Sequence, residues 1–489
     1  MWLDYPTIKL YKVSLRHIFF TGGFKYLVKF RYTSMAYKDP DEMVFGHAKF
    51  PVSEHWDIQF GAGYVVPEVK VAPRPGTEKD LETLKKECVS IAEQACERAV
   101  GIGIPFFMLE QEHVFQQTYN PKWAGEITAA QAAVLEKYHE EYGIKVALRQ
   151  TVADIRVEEK KPGLRGSDYD NRIAETVEAC AANGASDIAM ETMGGKTVLD
   201  YGCMRGDIKA ILFGIGVLGS IDMDYVWTRN VKICKKYDCR PAGETNCSGA
   251  NTLMFVAGLL LDKNLPHTLA ALGRAIAAAR TLVAYECGAT GPGKDCGYEN
   301  PIVKAITGRP MAAEGKDAVC AHQDLMGNLI AAVCDVWSNE SVFHDQEMGG
   351  WTPAVWLGAT ANECNLMNVA IQAGQHKILR DLYVLADKYR DPQALILAYD
   401  NAWRIGRAIV EYGKDIYLRA RAAALEAGRI IKEAVEAKKL VLTRFERDAL
   451  EHAMKVLESL PTESHRFIEE CVREYKRKVP TFDPKSYEL

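Results

Sequence analysis

Three residues whose side chains bind transition metals each follow a predicted β-strand in this 489-residue chain. Glu191 closes the run SDIAME, Cys247 follows RPAGET, and Cys296 follows VAYECGATGPGKD. In a parallel barrel, all three side chains would lie at the carboxyl ends of the strands, where the strand-to-helix loops gather. One carboxylate and two thiolates supply three corners of a tetrahedral zinc site and leave the fourth open, as catalysis requires.

The cysteine content allows a second interpretation of Cys247 and Cys296. A free cysteine is often a small buried apolar residue, and the sequence contains neither CxxC nor HExxH spacing. The total of thirteen cysteines is odd and is spread over a long chain, unlike the dense, paired cysteines of small secreted domains. We therefore expect a reducing, cytoplasmic compartment in which thiolates are available for metal binding.

Two glycine-rich motifs raise the alternative of nucleotide binding. Gly214–Gly219 matches GxGxxG, but the chain continues as SIDMDYV, which favours a strand over the helix start that binds a pyrophosphate. Gly288–Asp295 matches GxxxxGK, yet Asp295 stands where the magnesium-binding Ser or Thr belongs. We interpret the first motif as closely packed glycines and the second as a loop at a strand end. A nucleotide-binding protein built on the second motif stays an alternative.

The elements that position these residues alternate along the chain from Trp56 onward. Short apolar or β-branched runs predict strands, and stretches of 3.6-residue periodicity between them predict helices. Eight such units match a (β/α)8 TIM-type barrel, with a doubly wound open sheet as the alternative. The predicted strands are Asp57–Ala62, Phe106–Glu110, Lys145–Gln150, Asp187–Glu191, Val217–Ile221, Arg240–Glu244, Leu282–Glu286 and Met311–Glu314.

The ends of the chain differ from this α/β pattern. Residues 1–34 carry six Lys or Arg and one acidic residue, which indicates a basic extension, disordered or the product of a start assigned too early. A membrane-surface anchor is the alternative for this segment. We assign residues 35–350 to the barrel and residues 351–489 to a helical region, whose apolar stripe packs on the barrel or binds a partner. Net charge −5 argues against nucleic-acid binding, and no apolar run is long enough to span a membrane.

Several segments, among them TSMAYKDPDEMVFGHAKFPV, ETMGGK and LVAYECGATGPGKDCGYENPIVKAITG, resemble the zinc subunit of the methanol-specific corrinoid methyltransferases. The resemblance runs from about Tyr32 to the C-terminus, and Gly288–Gly308 is its most specific part. It implies a (β/α)8 barrel that holds zinc on Glu191, Cys247 and Cys296. The segments are TSMAYKDPDEMVFGHAKFPV, QFGAGYV, NPKWAGEI, EYGIKVALR, ETMGGK, GSIDM, LVAYECGATGPGKDCGYENPIVKAITG and DKYRDPQALILAYDNA.

The resemblance also implies a reaction, the transfer of the methyl group of methanol to cobalt. Zinc would polarise the methanol oxygen while the reduced cobalt of a corrinoid attacks the carbon. A proton donor must then assist departure of the oxygen. Candidates are Glu110, Glu112 and His113 after the second predicted strand, and His322 and Asp324 after the eighth.

The corrinoid is expected on a partner protein, because the chain has no corrinoid-binding loop of the DxHxxG type. The resemblance implies a stable complex with that corrinoid protein and a homodimer of such units. Two further alternatives stay open: a related zinc enzyme that takes the methyl group from another alcohol, an aromatic ether or a thiol, and a non-catalytic subunit that only positions the corrinoid protein.

Overall fold

The computed structural model describes residues 32–156, 164–253, 257, 265–294, 299–311, 353–413 and 415–489. Most of the predicted basic extension 1–34 lies outside these residues. So do Cys296, His322 and Asp324, for which the structure gives no position. The domain boundaries at residues 34 and 350 stay predictions.

A parallel sheet forms the centre of the molecule and lies next to an antiparallel hairpin. The hairpin pairs β1 (His47–Ser53) with β2 (Gln59–Ala62). The five parallel strands stand in the order of the sequence, whereas the strand order of a doubly wound sheet reverses at its centre. The architecture is therefore α/β of the TIM type, although the sheet does not close within the described residues. Its strands are β3 (Glu68–Val71), β4 (Phe106–Glu112), β5 (Lys145–Ala153), β6 (Asp187–Glu191) and β7 (Arg240–Gly243).

Helices connect the strands and then make up the whole described C-terminal region. Those of the α/β part are α1 (Leu81–Ile102), α2 (Phe115–Tyr119), α3 (Pro121–Tyr142), α4 (Asp168–Ala182), α5 (Lys196–Cys203), α6 (Ile208–Lys236), α7 (His267–Cys287) and α8 (Asn300–Thr307). The C-terminal helices are α9 (Pro353–Gln372), α10 (His376–Asp387), α11 (Pro392–Leu397), α12 (Tyr399–Val410), α13 (Ile416–Glu436), α14 (Arg444–Ser459) and α15 (Ser464–Lys478).

Three of the eight predicted strands need correction, and a fourth lies mostly outside the described residues. The segment predicted as 57–62 forms β2 of the hairpin and not a strand of the parallel sheet. Val217–Ile221 lies within α6 and Leu282–Glu286 within α7, so both are helical. Of Met311–Glu314 only Met311 is described, and it makes an isolated parallel bridge with Gly293. The first strand of the parallel sheet, β3, was not predicted.

Helix α6 is long and apolar enough to cross a membrane, but 94% of its most apolar window is buried inside the protein. It is therefore a core helix. Its glycines allow close packing, as the sequence suggested. A Cβ on Gly214 would lie 2.9 Å from the backbone nitrogen of Leu199, and one on Gly216 would lie 2.7 Å from Ala420 Cβ. No dinucleotide-binding loop exists here, because the whole motif is inside the helix.

The C-terminal helices pack on the α/β part, which confirms that interpretation of their apolar stripe. Ala420 and Ile430 of α13 belong to the same buried apolar cluster as Ile276 of α7. A buried ion pair joins Arg419 Nη1 to Glu286 Oε1 at 2.9 Å. Further along, Thr443 Oγ1 accepts a hydrogen bond from the Glu446 backbone N–H and caps the start of α14.

The two faces of the parallel sheet differ sharply in polarity. The outer face is apolar and packs against α1 and α3 through Val69, Val71, Phe107, Leu109, Val146 and Leu148. Because side chains alternate along a strand, the residues between these point to the opposite, inner face. That face carries charged or polar residues at Glu68, Lys70, Glu110, Glu112, Arg149, Thr151, Asp187 and Glu191. The inner face of the sheet therefore brings acidic and basic side chains together.

Candidate metal centre

Two of the three predicted metal ligands lie together at the carboxyl end of the sheet. Glu191 is the last residue of β6, and Cys247 begins a short helical turn that follows β7. The Cys247 thiol is within hydrogen-bonding reach of the Glu191 carboxylate. Cys296 lies outside the described residues, but Lys294, two positions before it, contacts Glu191 directly.

Lys294 places a buried positive charge among three carboxylates. Its Nζ atom lies 2.5 Å from Glu191 Oε1, 3.7 Å from Glu110 Oε1 and 4.0 Å from Glu112 Oε1. Lys70 reaches the same group from β3, with its Nζ 2.6 Å from Glu112 Oε1. The lysine of the GxxxxGK motif is therefore turned towards carboxylates, an environment that suits a cation and not a phosphate.

The charges around Lys294 keep two carboxyl groups ionised. Burial opposes ionisation, but the ammonium groups of Lys294 and Lys70 hold the pKa of Glu191 at about 2. Burial likewise opposes ionisation of Glu110, and the same lysines lower its pKa below the ordinary value. Thr151 Oγ1 also donates a hydrogen bond to Glu110 Oε1. Near neutral pH both groups are carboxylates that accept hydrogen bonds or bind cations.

The predicted proton donors occupy different environments. Glu110 is fully buried, whereas about a third of the Glu112 side chain (32%) is exposed. His113 lies away from the carboxylates: its Nε2 is 2.9 Å from Gln150 Oε1, and its other contacts are Thr118 and Cys180. Burial lowers the pKa of His113 to about 4, so the ring is neutral near pH 7. His113 is thus poorly placed to donate a proton.

The residues at the site fit a zinc ion by the chemistry of their donors. A carboxylate and a thiol lie side by side, and these are ligand types that zinc accepts. The ammonium of Lys294 shows that the surrounding carboxylates hold a cation. Within the described ranges no three His, Cys, Asp or Glu side chains form a metal-binding group, and the third predicted ligand, Cys296, is not among them.

A second charged layer lies beneath the site and fixes the segment that leads to Lys294. Arg149 binds Asp187 through two hydrogen bonds of 2.9 and 3.0 Å, and its Nη1 lies 3.0 Å from Glu68 Oε1. Its Nη2 also donates to the Pro292 carbonyl oxygen at 2.9 Å. Arg149 thereby ties β5 and β6 to the chain two residues before Lys294.

Glu299 is a further polar residue of the site that sequence analysis missed. Its Oε1 accepts hydrogen bonds from the Asn246 backbone N–H at 2.6 Å and from Thr281 Oγ1 at 2.5 Å. Burial raises the pKa of Glu299 to about 7. Because Asn246 precedes Cys247 and Glu299 follows Cys296 by three positions, this contact links the two cysteine-bearing segments. A lone glutamate before a helix gave no sequence signal for that role.

Known proteins resemble this chain over nearly its whole length. A family model described as the methanol–cobalamin methyltransferase B subunit matches residues 29–488. A methanol–corrinoid protein co-methyltransferase from Methanosarcina barkeri is 52% identical over 457 residues, which cover 94% of this chain and 99% of the relative. The crystal structure of the methanol:cobalamin methyltransferase complex MtaBC from Methanosarcina barkeri contains a chain that matches with a TM-score of 0.86 and 49% identity, over 94% of this chain and 100% of that chain.

These matches confirm the resemblance found in the sequence. The family model spans nearly the whole chain, and the relative aligns over almost its full length at an identity far above the level at which family membership is uncertain. The chain is therefore a methyltransferase and belongs to the family of methanol–cobalamin methyltransferase B subunits.

Proposed function

We propose that this enzyme transfers the methyl group of methanol to the reduced cobalt of a corrinoid bound to a partner protein. Support comes from the relative, which is named for methanol and a corrinoid protein, and from the solved relative, which is a complex. The observation that carries the proposal is the convergence of Glu191 and Cys247 at the carboxyl end of the sheet. Active sites of TIM-type enzymes lie at that end.

Glu191, Cys247 and Cys296 are the proposed zinc ligands. When bound, zinc supplies Lewis acidity that polarises the methanol oxygen and weakens the carbon–oxygen bond. The chain prepares the site by keeping Glu191 ionised through Lys294 and Lys70. Because a ligand must be deprotonated to bind a metal, the ionised carboxylate requires no proton loss before zinc enters.

The transfer also requires a proton. The cobalt–carbon bond forms as the carbon–oxygen bond breaks, and the departing oxygen takes up one proton to leave as water. Glu110, Glu112 and His322 are the proposed donors. Of the two described residues, Glu112 is the better supported, because 32% of its side chain is exposed to solvent, whereas Glu110 is buried and held as a carboxylate.

The partner must bring its corrinoid over the carboxyl end of the sheet, where the proposed ligands lie. We propose a stable complex with a corrinoid protein and a homodimer within the larger assembly. We also place the enzyme in the cytoplasm, since the ten cysteines in the described part of the chain are all free thiols, as a reducing compartment maintains them.

The experiment that tests this function is a methyl-transfer assay with purified protein loaded with zinc. Free reduced cobalamin replaces the corrinoid protein, and its conversion to methylcobalamin is followed by absorbance. Methanol is expected to support the reaction, and Glu191→Ala is expected to abolish it. Methylation from a methylated thiol or an aromatic methyl ether in place of methanol would identify a related enzyme with another substrate, and no methylation from any donor would identify a non-catalytic subunit.

A further inference from the structure

The loop that follows Glu191 is held by three side chains from separate parts of the chain. Each accepts a hydrogen bond from a backbone N–H of the loop. Glu244 Oε1 binds Thr192 at 3.1 Å, Asp154 Oδ2 binds Met193 at 2.8 Å, and the Tyr487 hydroxyl binds Gly195 at 2.7 Å. We call this set of three acceptors the loop clamp. The loop clamp binds the backbone of the residues that connect Glu191 to α5.

Two members of the loop clamp are fixed by further contacts of their own. Glu244 Oε2 accepts from Trp227 Nε1 at 2.8 Å, and its Oε1 accepts from Arg280 Nη2 at 2.6 Å. Asp154 binds Arg156 through two hydrogen bonds, one of them 2.8 Å long between Arg156 Nε and Asp154 Oδ1. All these side chains are buried. An acceptor held in this way keeps its oxygen in place and therefore keeps the loop N–H in place.

The loop has no space in which to shift. A Cβ on Gly194 would lie 2.2 Å from Asp222 Cβ, and a Cβ on Gly195 would lie 2.0 Å from the Gly214 carbonyl oxygen. Gly195 also has a φ of +82°, which favours glycine. The Gly214 backbone and the Asp222 side chain, both of α6, therefore lie tightly against the loop.

The third clamp residue comes from the C-terminal end of the chain. Tyr487 closes a short 3-10 helix, Pro484–Tyr487, and only 6% of it is exposed. Its ring lies 6.2 Å from that of Phe482. The neighbouring Glu488 forms an ion pair of 2.9 Å with Arg165. These contacts dock the C-terminus beside the loop, 292 residues from Gly195 in sequence.

We propose that Glu244, Asp154 and Tyr487 are positioning residues that hold Glu191 in the geometry for binding metal, so that the C-terminus of the chain forms part of the metal centre. The inference rests on the proposed function, in which Glu191 is a zinc ligand. A ligand held in place loses little freedom when the metal binds, and supporting contacts of this kind strengthen metal affinity.

The test compares two tyrosine variants by zinc affinity. Tyr487→Phe removes only the hydroxyl that binds the loop. Tyr417→Phe is the matched control, because Tyr417 is also buried in the C-terminal region and donates to the Pro461 carbonyl oxygen at 2.6 Å, away from the loop. Metal-free protein is titrated with zinc against a chelator of known affinity, and the unfolding of each metal-free variant is measured in parallel.

Zinc affinity is expected to fall about tenfold in Tyr487→Phe and to stay at the wild-type value in Tyr417→Phe. Equal zinc affinity of Tyr487→Phe and wild type would overturn the inference, as would an equal loss in Tyr417→Phe. If Tyr487→Phe does not fold, Thr192→Val and Thr192→Ser replace it. The Val variant loses the hydroxyl that binds Glu244 and is expected to bind zinc more weakly, whereas the Ser variant keeps it; equal affinities of the two would overturn the inference.

Failure of the proposed function gives a different result. If wild type binds no zinc, or if Glu191→Ala binds zinc as wild type does, Glu191 is not a ligand and the metal site itself is wrong. If wild type binds zinc through Glu191 and Tyr487→Phe binds zinc equally well, only the positioning role of the loop clamp is rejected, and the proposed metal site stands.

Discussion

The Lys294 ammonium lies 2.5 Å from the Glu191 carboxylate, inside the sheet and at its carboxyl end. One residue belongs to a glycine-rich loop and the other to the end of β6, 103 positions apart. The pair fixes a positive charge beside the proposed zinc ligand and keeps that ligand ionised. Lys294 therefore belongs to the proposed metal centre as the charged neighbour of a proposed ligand.

Replacement of Cys247 by serine is expected to remove zinc and activity together, because a serine hydroxyl is a far weaker zinc ligand than a thiolate. Zinc content per chain and methylation of reduced cobalamin are the two measurements. Cys287→Ser is the control, since Cys287 contacts Thr228 and Asp224 and not the site. Retention of zinc and activity in Cys247→Ser would count against the assignment.

Replacement of Lys294 by methionine is expected to destabilise the metal-free protein by about 3 kcal/mol, because it leaves buried carboxylates without their partner charge. Saturating zinc should then raise the melting temperature of the variant by more than that of wild type. Lys196→Met is the control: Lys196 is partly exposed and pairs with the exposed Asp200, and an ion pair that solvent reaches contributes about 1 kcal/mol or less. Equal stabilisation by zinc in the variant and the wild type would contradict the role of Lys294.

Amide substitutions distinguish the two described proton-donor candidates, Glu110 and Glu112. Glu112→Gln is expected to lower the rate of methyl transfer at least about 100-fold, the usual contribution of a positioned acid, while zinc stays bound. Glu110→Gln should have the smaller effect, because Glu110 is held as a carboxylate. Single-turnover assays with measured zinc content check both. Loss of activity in Glu110→Gln alone would assign the proton to Glu110, and full activity in both would leave His322 and Asp324 as the remaining candidates.

Protonation of His113 is expected to make stability depend on pH. Burial lowers the pKa of His113 to about 4 in the folded protein, while the unfolded chain has the ordinary value of about 6.5. Between these values the unfolded state binds more protons, so the free energy of unfolding rises with pH. The stabilisation that neutral His113 contributes is therefore lost as the pH falls from 6.5 to 4. At pH 7 this difference in pKa between the folded and unfolded states stabilises the folded protein by about 3 kcal/mol.

Denaturant unfolding of wild type and His113→Gln at pH 7.5, 5.5 and 4.5 checks this expectation, and the difference between the two proteins cancels the other titrating groups. The stability advantage of wild type over the variant should shrink as the pH falls. A difference that is independent of pH would show that His113 is not buried in its neutral form.

Sequence reasoning placed two of the proposed metal ligands, Glu191 and Cys247, correctly at the ends of strands, because local patterns were clear there. The strands that end near Glu191 and Cys247 are short apolar runs bounded by polar turns, and both are strands in the structure. The prediction of a strand at Leu282–Glu286 was wrong because α7 is buried on all sides, from Thr268 to Glu286. Its sequence therefore lacks the periodic change between apolar and polar residues that marks a surface helix. Val217–Ile221 lies in α6, where the same cause applies.

Residues whose role depends on distant partners gave no local signal. The strand β3 reads EVKV, and its charged residues suggest an exposed segment, yet Glu68 lies inside the sheet against Arg149. Lys294 matched a phosphate-binding motif because its carboxylate partners come from strands far away in sequence. The hydroxyl of Tyr487 is equally beyond the reach of sequence patterns, since its loop partner is in the α/β part.

The most direct test of the central claim is X-ray absorption at the zinc edge of the purified protein. The account predicts one zinc per chain with two sulfur ligands and at least one oxygen ligand, and one sulfur fewer in the Cys247→Ser and Cys296→Ser variants wherever zinc is retained. A protein that binds no zinc, or binds it without sulfur, would contradict the proposed metal centre.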